Sequence, residues 1–187
     1  MPLVDNNRCR LLVVDMQEKL LPAMYQPEGL IRNSGIVLQA AITLGISALV
    51  SEQYPAGLGP TIDQIRCLAP DIPRWAKTTF SCMGDTNMRD WLDPKSADQI
   101  VLVGVEAHVC VLQTAMDLQA AGAEVFVVAD AVSSRKASSV EAALSRLAAS
   151  RPASEPPISI VTAEMVVFEW MRTAASPHFK VLSKLIR

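Results

Sequence analysis

"DQIVLVGVEAHVCVLQTAMDLQAAG", residues 98–122, decides the fold. Residues 98–105 form an apolar, β-branched run of the kind buried on both faces of a sheet. From His108 to Gly122 the apolar residues recur at helical spacing, and Gly122 fits a helix stop. A strand therefore feeds straight into a helix, with Gly104, His108 and Cys110 near the join. Cys110 has two readings. It is a nucleophile at the mouth of a sheet, or an inert apolar residue inside a helix.

The same alternation extends in both directions. Strands are expected at 9–16, 46–52, 74–80, 124–130 and 158–163, besides 98–105. Helices are expected at 28–45, 88–94 (ended by Pro94), 108–122, 138–150 (capped by Ser138 or Ser139), 163–175 and 176–187. Residues 59–70 read as a loop with one short helix. No internal repeat is visible, and "RPASEPP" (151–157) is too short to separate domains. The expectation is a single domain, 1–187, of α/β class. It has a six-stranded parallel sheet with helices on both faces, a Rossmann-like three-layer sandwich. In such sheets ligands bind beyond the carboxyl ends of the strands, where strand order reverses.

Composition narrows the function. Half of the 187 residues are hydrophobic, 19% are charged, and the net charge is -2. With no long basic tract, nucleic acid is not an expected partner. The apolar runs are too short to span a membrane, and the start lacks the order of a signal peptide, so a cytoplasmic location is expected. The four cysteines and two histidines have neither disulfide nor zinc spacing. Single-cysteine chemistry remains.

Three strand ends carry chemistry. Asp15 closes "LLVVD"; as an alternative it is a turn or cap residue. Lys77 stands in "WAKTTFS"; on an edge strand it would simply point to solvent. Cys110 lies near a helix start, where amide dipoles favour a thiolate. A free thiol, with a pKa of ~8.5, is mostly protonated at neutral pH. Lys77 as a cation would favour the thiolate, and Asp15 as a base would accept the proton. Cys9, Cys67 and Cys82 occupy no such position and read as packing or surface residues.

Taken together, "LLVVDMQ", "KTTFS" and "LVGVEAHVCV" resemble the isochorismatase-like cysteine hydrolase superfamily, and the resemblance covers most of the chain. It implies Asp15 as base, Lys77 as charged partner and Cys110 as nucleophile. It also implies a cis peptide between Val105 and Glu106, and an oxyanion hole from the amides of Glu106 and Cys110. The implied reaction is that of an amidohydrolase. It cleaves a small amide or related carbonyl compound through a thioester on Cys110. "SEQYPAGLG" lacks the histidines with which nicotinamidases hold a metal, so neither metal nor cofactor is expected. Gln17, Gln53, Tyr54, Phe80 and His108 are expected to bind substrate. A Cys110–His108 dyad is the competing chemistry, although residues two apart on a helix diverge. The family forms homo-oligomers, and the closing segments supply Phe168, Trp170, Met171, Phe179, Val181, Leu182 and Leu185 as candidate contacts. The reading from another class is a homo-oligomeric binding or scaffold protein that keeps the fold and turns over little.

Overall fold

The computed structural model describes residues 2–93 and 98–186. The expected helix ends at Pro94 and Arg187 lie outside the described residues. Six strands form one sheet: β1 (Cys9–Val14), β2 (Ala48–Gln53), β3 (Arg74–Lys77), β4 (Gln99–Val105), β5 (Glu124–Ser133) and β6 (Ser159–Val161). Their order is β3-β2-β1-β4-β5-β6, and every neighbouring pair is parallel. The chain winds outward from β1 through β2 and β3, then returns to β4 on the other side of β1. The reversal therefore falls between β1 and β4.

Strand alternation divides the core between the two faces. Leu11 and Val13 point to one side, with Val101, Val103 and Phe126. There they meet α1 (Pro27–Thr43) through Val37, Leu38 and Ala41, and α7 (Ala163–Met171) through Val166, Val167 and Trp170. Leu12 and Val14 point to the other side, with Leu49, Ile100 and Leu102. That side is covered by Met88 of α4 (Thr86–Trp91), Ala115 and Leu118 of α5 (Leu112–Ala120), and Ala143 and Leu147 of α6 (Ala137–Ala149). Strands buried on both faces explain why the sequence shows continuous apolar runs rather than alternation.

The differences from expectation are local and have causes. β3 stops at Lys77, because the Lys77 ammonium binds the carbonyls of Thr79 (3.3 Å) and Phe80 (3.2 Å) and turns the chain back on itself. β5 continues past Asp130 to Ser133. A register shift permits this: from Leu102 to Gly104 on β4, the β5 partner advances from Val127 to Val132. The expected short helix within 59–70 is α3 (Asp63–Arg66), and a further one-turn helix, α2 (Pro55–Leu58), precedes it after β2. Helix α6 starts at Ala137 behind an extended Lys136 with no side-chain cap, so Ser138 and Ser139 lie inside the first turn. A π-helical turn, Ala107–Val111, precedes α5.

The closing segments pack inward more than was expected of a subunit contact. Trp170, Met171 and Leu182 belong to the core, as does part of α8 (Phe179–Leu185), while Phe168 and Val181 face outward. No helix among the described residues is long and apolar enough to cross a membrane.

Candidate active site

Parallel register brings distant residues to one edge of the sheet. Val14 pairs with Ser51 on β2 and with Gly104 on β4, and Gln53 pairs with Lys77 on β3. The carboxyl ends of β3, β2, β1 and β4 thus present Lys77, Gln53, Asp15 and Glu106 along one rim at the strand reversal. Gly104 is needed there for close approach. Its φ is +115°, and a Cβ at that position would stand 2.1 Å from the Val14 carbonyl oxygen. Asp15 leaves β1 in the left-handed region at φ 53°, a conformation aspartate tolerates better than most residues. Its amide still bonds the Ser51 carbonyl at 3.1 Å.

Asp15 sits at the centre of a buried network. Lys77 Nζ donates to its Oδ2 at 2.8 Å, and Ser51 Oγ donates to its Oδ1 at 2.7 Å. Cys110 lies close enough to this carboxylate for the Asp15 charge to act on its thiol. Lys77 donates further to Gln53 Oε1 at 2.6 Å. Burial is the largest influence on the Lys77 ammonium and pulls it down; the Asp15 charge and hydrogen bond, together with Cys82 and Cys110, outweigh it and raise it above the ordinary lysine value. Lys77 is therefore charged and compensated by its carboxylate partner.

Cys110 is buried, with 6% of its surface exposed. Burial pushes its thiol up to about 12, Asp15 adds to the rise, and Lys77 opposes it. This differs from the thiolate expected at a helix start beside a cation. The cation is already neutralised by Asp15, and the desolvated sulfur keeps its proton. In this resting state Cys110 is a thiol beside a carboxylate.

Cys82, read from sequence as a packing or surface residue, belongs to the same cluster. It lies fully buried in a short 3-10 turn (Cys82–Gly84) after β3, and its amide bonds Thr114 Oγ1 at 2.9 Å. Burial raises its thiol to about 11. Ser51 and Cys82 are the residues that sequence reading passed over. A lone serine among the apolar residues of "ALVSEQ" was the available signal, but it gains meaning only once register sets it beside Asp15.

The other expected site residues fall into distinct positions. Gln17 is fully buried, and both ends of its amide are engaged: Oε1 accepts from the Gln53 amide at 2.7 Å, while Nε2 donates to the carbonyls of Gln53 (3.0 Å) and Gly59 (2.7 Å). Gln53 Nε2 donates to the Thr78 carbonyl at 2.9 Å. Tyr54 and Phe80 hold their rings in solvent, at 57% and 55% exposure. The Tyr54 ring rests on Gly57, where an added Cβ would come within 2.3 Å of it. The Val105–Glu106 peptide bond is cis. The Glu106 carboxylate meets Arg135 Nε at 3.1 Å and His108 Nδ1 at 3.4 Å. His108 Nδ1 lies 2.9 Å from Ser134 Oγ, so its ring nitrogen is turned to Ser134 and Glu106 rather than to Cys110. Asp130 acts as a cap, accepting from the Ala163 amide at 2.8 Å. After β2, Glu52 Oε1 accepts from the Thr61 amide (2.7 Å) and hydroxyl (2.6 Å).

Comparison with known proteins gives this geometry its context. The sequence profile of the isochorismatase domain matches residues 9–156. Isochorismatase domain-containing protein 2 of Danio rerio is 38% identical over 176 residues, which cover 94% of this chain and 85% of that protein. The structure of MAR1 ribonuclease from Caenorhabditis elegans superposes with a TM-score of 0.90 at 34% identity, covering 99% of this chain and 92% of the other. The YcaC protein of Escherichia coli, described as an octameric hydrolase of unknown specificity, shares the fold with a TM-score of 0.89 at 21% identity, covering 98% of this chain and 89% of its own.

Proposed function

The chain belongs to the isochorismatase domain family, and from that premise we propose that it is a cysteine hydrolase of the amidohydrolase type acting on a small amide or related carbonyl compound. The observation that carries the reading is that Lys77 and Ser51 both donate to the buried Asp15 carboxylate, with the Cys110 thiol close enough to feel its charge.

The chemistry follows from the protonation states. Cys110 Sγ attacks the substrate carbonyl carbon as Asp15 removes the thiol proton, so no free thiolate has to be stored in the apolar surroundings. The tetrahedral oxyanion is assigned to the backbone amides of Glu106 and Cys110. Lys77 holds Asp15 in place and compensates its charge while the carboxylate is free. The protonated Asp15 then gives its proton to the leaving amine, and the C–N bond breaks to leave a thioester on Cys110. The same carboxylate takes a proton from water, which attacks the thioester, and the thiol is restored as the acid departs. Tyr54, Phe80 and His108 are assigned to the substrate pocket, with Gln17 and Gln53 supporting it from behind.

A second reading is a binding protein with little turnover. In its favour stands the enclosure of the Cys110 thiol, raised to about 12. The nematode neighbour is called a ribonuclease, but the net charge of -2 here gives polyanionic RNA no general attraction. We place the chain in the cytoplasm as one domain within a homo-oligomer, with outward-facing Leu3, Met165 and Phe168 available to a second copy. A panel of small amides, with a labelled RNA as one member, tests the reading on wild type and Cys110→Ala side by side. Amide hydrolysis that disappears in Cys110→Ala supports it. Equal activity in both proteins, or cleavage of RNA alone, rejects it.

A further inference from the structure

Ser51 and Cys82 form a second tier behind Asp15 that the reaction above does not use directly. An ionised carboxylate only accepts hydrogen bonds, so the Ser51 hydroxyl at 2.7 Å from Oδ1 must donate its single proton to Asp15. Cys82 lies nearby, its amide donating to Thr114 Oγ1, one helical turn beyond Cys110 on the same side of the helix. Burial raises Cys82 to about 11, so it remains a neutral thiol at working pH and leaves the Ser51 proton to Asp15. The groups facing Asp15 are thus Lys77 from β3, Ser51 from β2 and Cys110 from the π-helical turn, with Cys82 behind Ser51.

We propose, resting on the hydrolase reading above, that Ser51 is a positioning residue that controls proton exchange between Asp15 and Cys110. Lys77 and Ser51 each occupy one carboxylate oxygen, leaving a defined lone pair for the Cys110 proton. After Asp15 accepts that proton, both donors remain in place and favour its return to the leaving amine. Without Ser51 the carboxylate is a stronger base and a weaker acid, so it fills with a solvent proton at higher pH.

The test is the pH profile of Cys110 alkylation by iodoacetamide, read by peptide mass spectrometry against exposed Cys67 as an internal reference. Wild type should show an acidic limb that Asp15→Asn lacks. Ser51→Ala should move that limb upward by about one to two pH units, the worth of one hydrogen bond to a charged group. Ser51→Thr should restore it. Ser51→Cys, which keeps the size with a weaker donor, should lie above wild type and serves if Ser51→Ala does not fold. A limb unmoved in Ser51→Ala or Ser51→Cys, or one not restored by Ser51→Thr, overturns this inference alone. A wild-type profile in Asp15→Asn overturns the hydrolase mechanism together with it.

Discussion

Lys77 Nζ stands 2.8 Å from Asp15 Oδ2, with both side chains completely removed from solvent. Such a pair repays its desolvation only while both members are present. Lys77→Met should destabilise the protein by about 3–5 kcal/mol, because it strands the Asp15 charge in the interior. Pairing it with Asp15→Leu should recover much of that stability and none of the activity. Urea denaturation and amide hydrolysis on the two variants check both halves.

Gly104 is the position at which β1 and β4 come closest. Gly104→Ala should cost about 3 kcal/mol or more, since the new Cβ meets the Val14 backbone and the left-handed φ is unsuited to alanine. Activity should fall even in the folded fraction, as β1 carries Asp15. Gly29 of α1 is the control. Nothing lies within 4 Å of an added Cβ there, so Gly29→Ala should be neutral or stabilising by up to about 1 kcal/mol. Thermal melts of the two variants give the comparison.

The interlocked amides of Gln17 and Gln53 predict a local effect. Gln17→Ala leaves part-buried backbone groups of Gln53 and Gly59 without their partner, at a cost of about 1 kcal/mol. Thermolysin cleavage before Leu58, in the segment that Gln17 anchors, should accelerate well before global unfolding. Unchanged cleavage kinetics would argue against this role for the amide pair.

Buried thiols set the alkaline limit of stability. Cys9 and Cys110 are raised to about 12 and Cys82 to about 11 by burial. In the unfolded chain each ionises near its ordinary value of ~8.5. The folded state therefore binds more protons between those values, and stability falls as pH rises from roughly 9 toward 12. Lys77, also raised, acts in the same direction. Cys9 is remote from the catalytic cluster, hydrogen-bonded by Trp170 Nε1 at 3.1 Å. Cys9→Ala should reduce the drop in urea stability between pH 8 and pH 10.5. An identical drop in that variant would count against the thiol contribution.

All six strands and the long helices were legible in the sequence because continuous apolar runs and helical spacing are local signals. The sheet order was not legible, because it depends on which strands pair across long separations. Lys77 and Asp15 stood out as charges at apolar strand ends. Ser51 and Cys82 did not, since a small polar residue and a cysteine acquire a role only through their neighbours across the sheet. The extension of β5 to Ser133 was hidden by the charge of Asp130, which lies within the strand and accepts from the first amide of α7. The resting state of Cys110 was misjudged for a similar reason. A helix start and a cation are visible in sequence, whereas the desolvation that outweighs them is a property of the packed interior.

Gln17 grips the backbone on both sides of Gln53, and thereby fastens the segment after β1 to the one after β2. Loop grafting between relatives, undertaken to redirect specificity, has to respect this clasp. A donor segment for residues 54–61 inserted without a compatible partner at position 17 would arrive unanchored. Transplanted as a matched set with both glutamines, the two segments form a single exchangeable cassette mounted on an unchanged sheet.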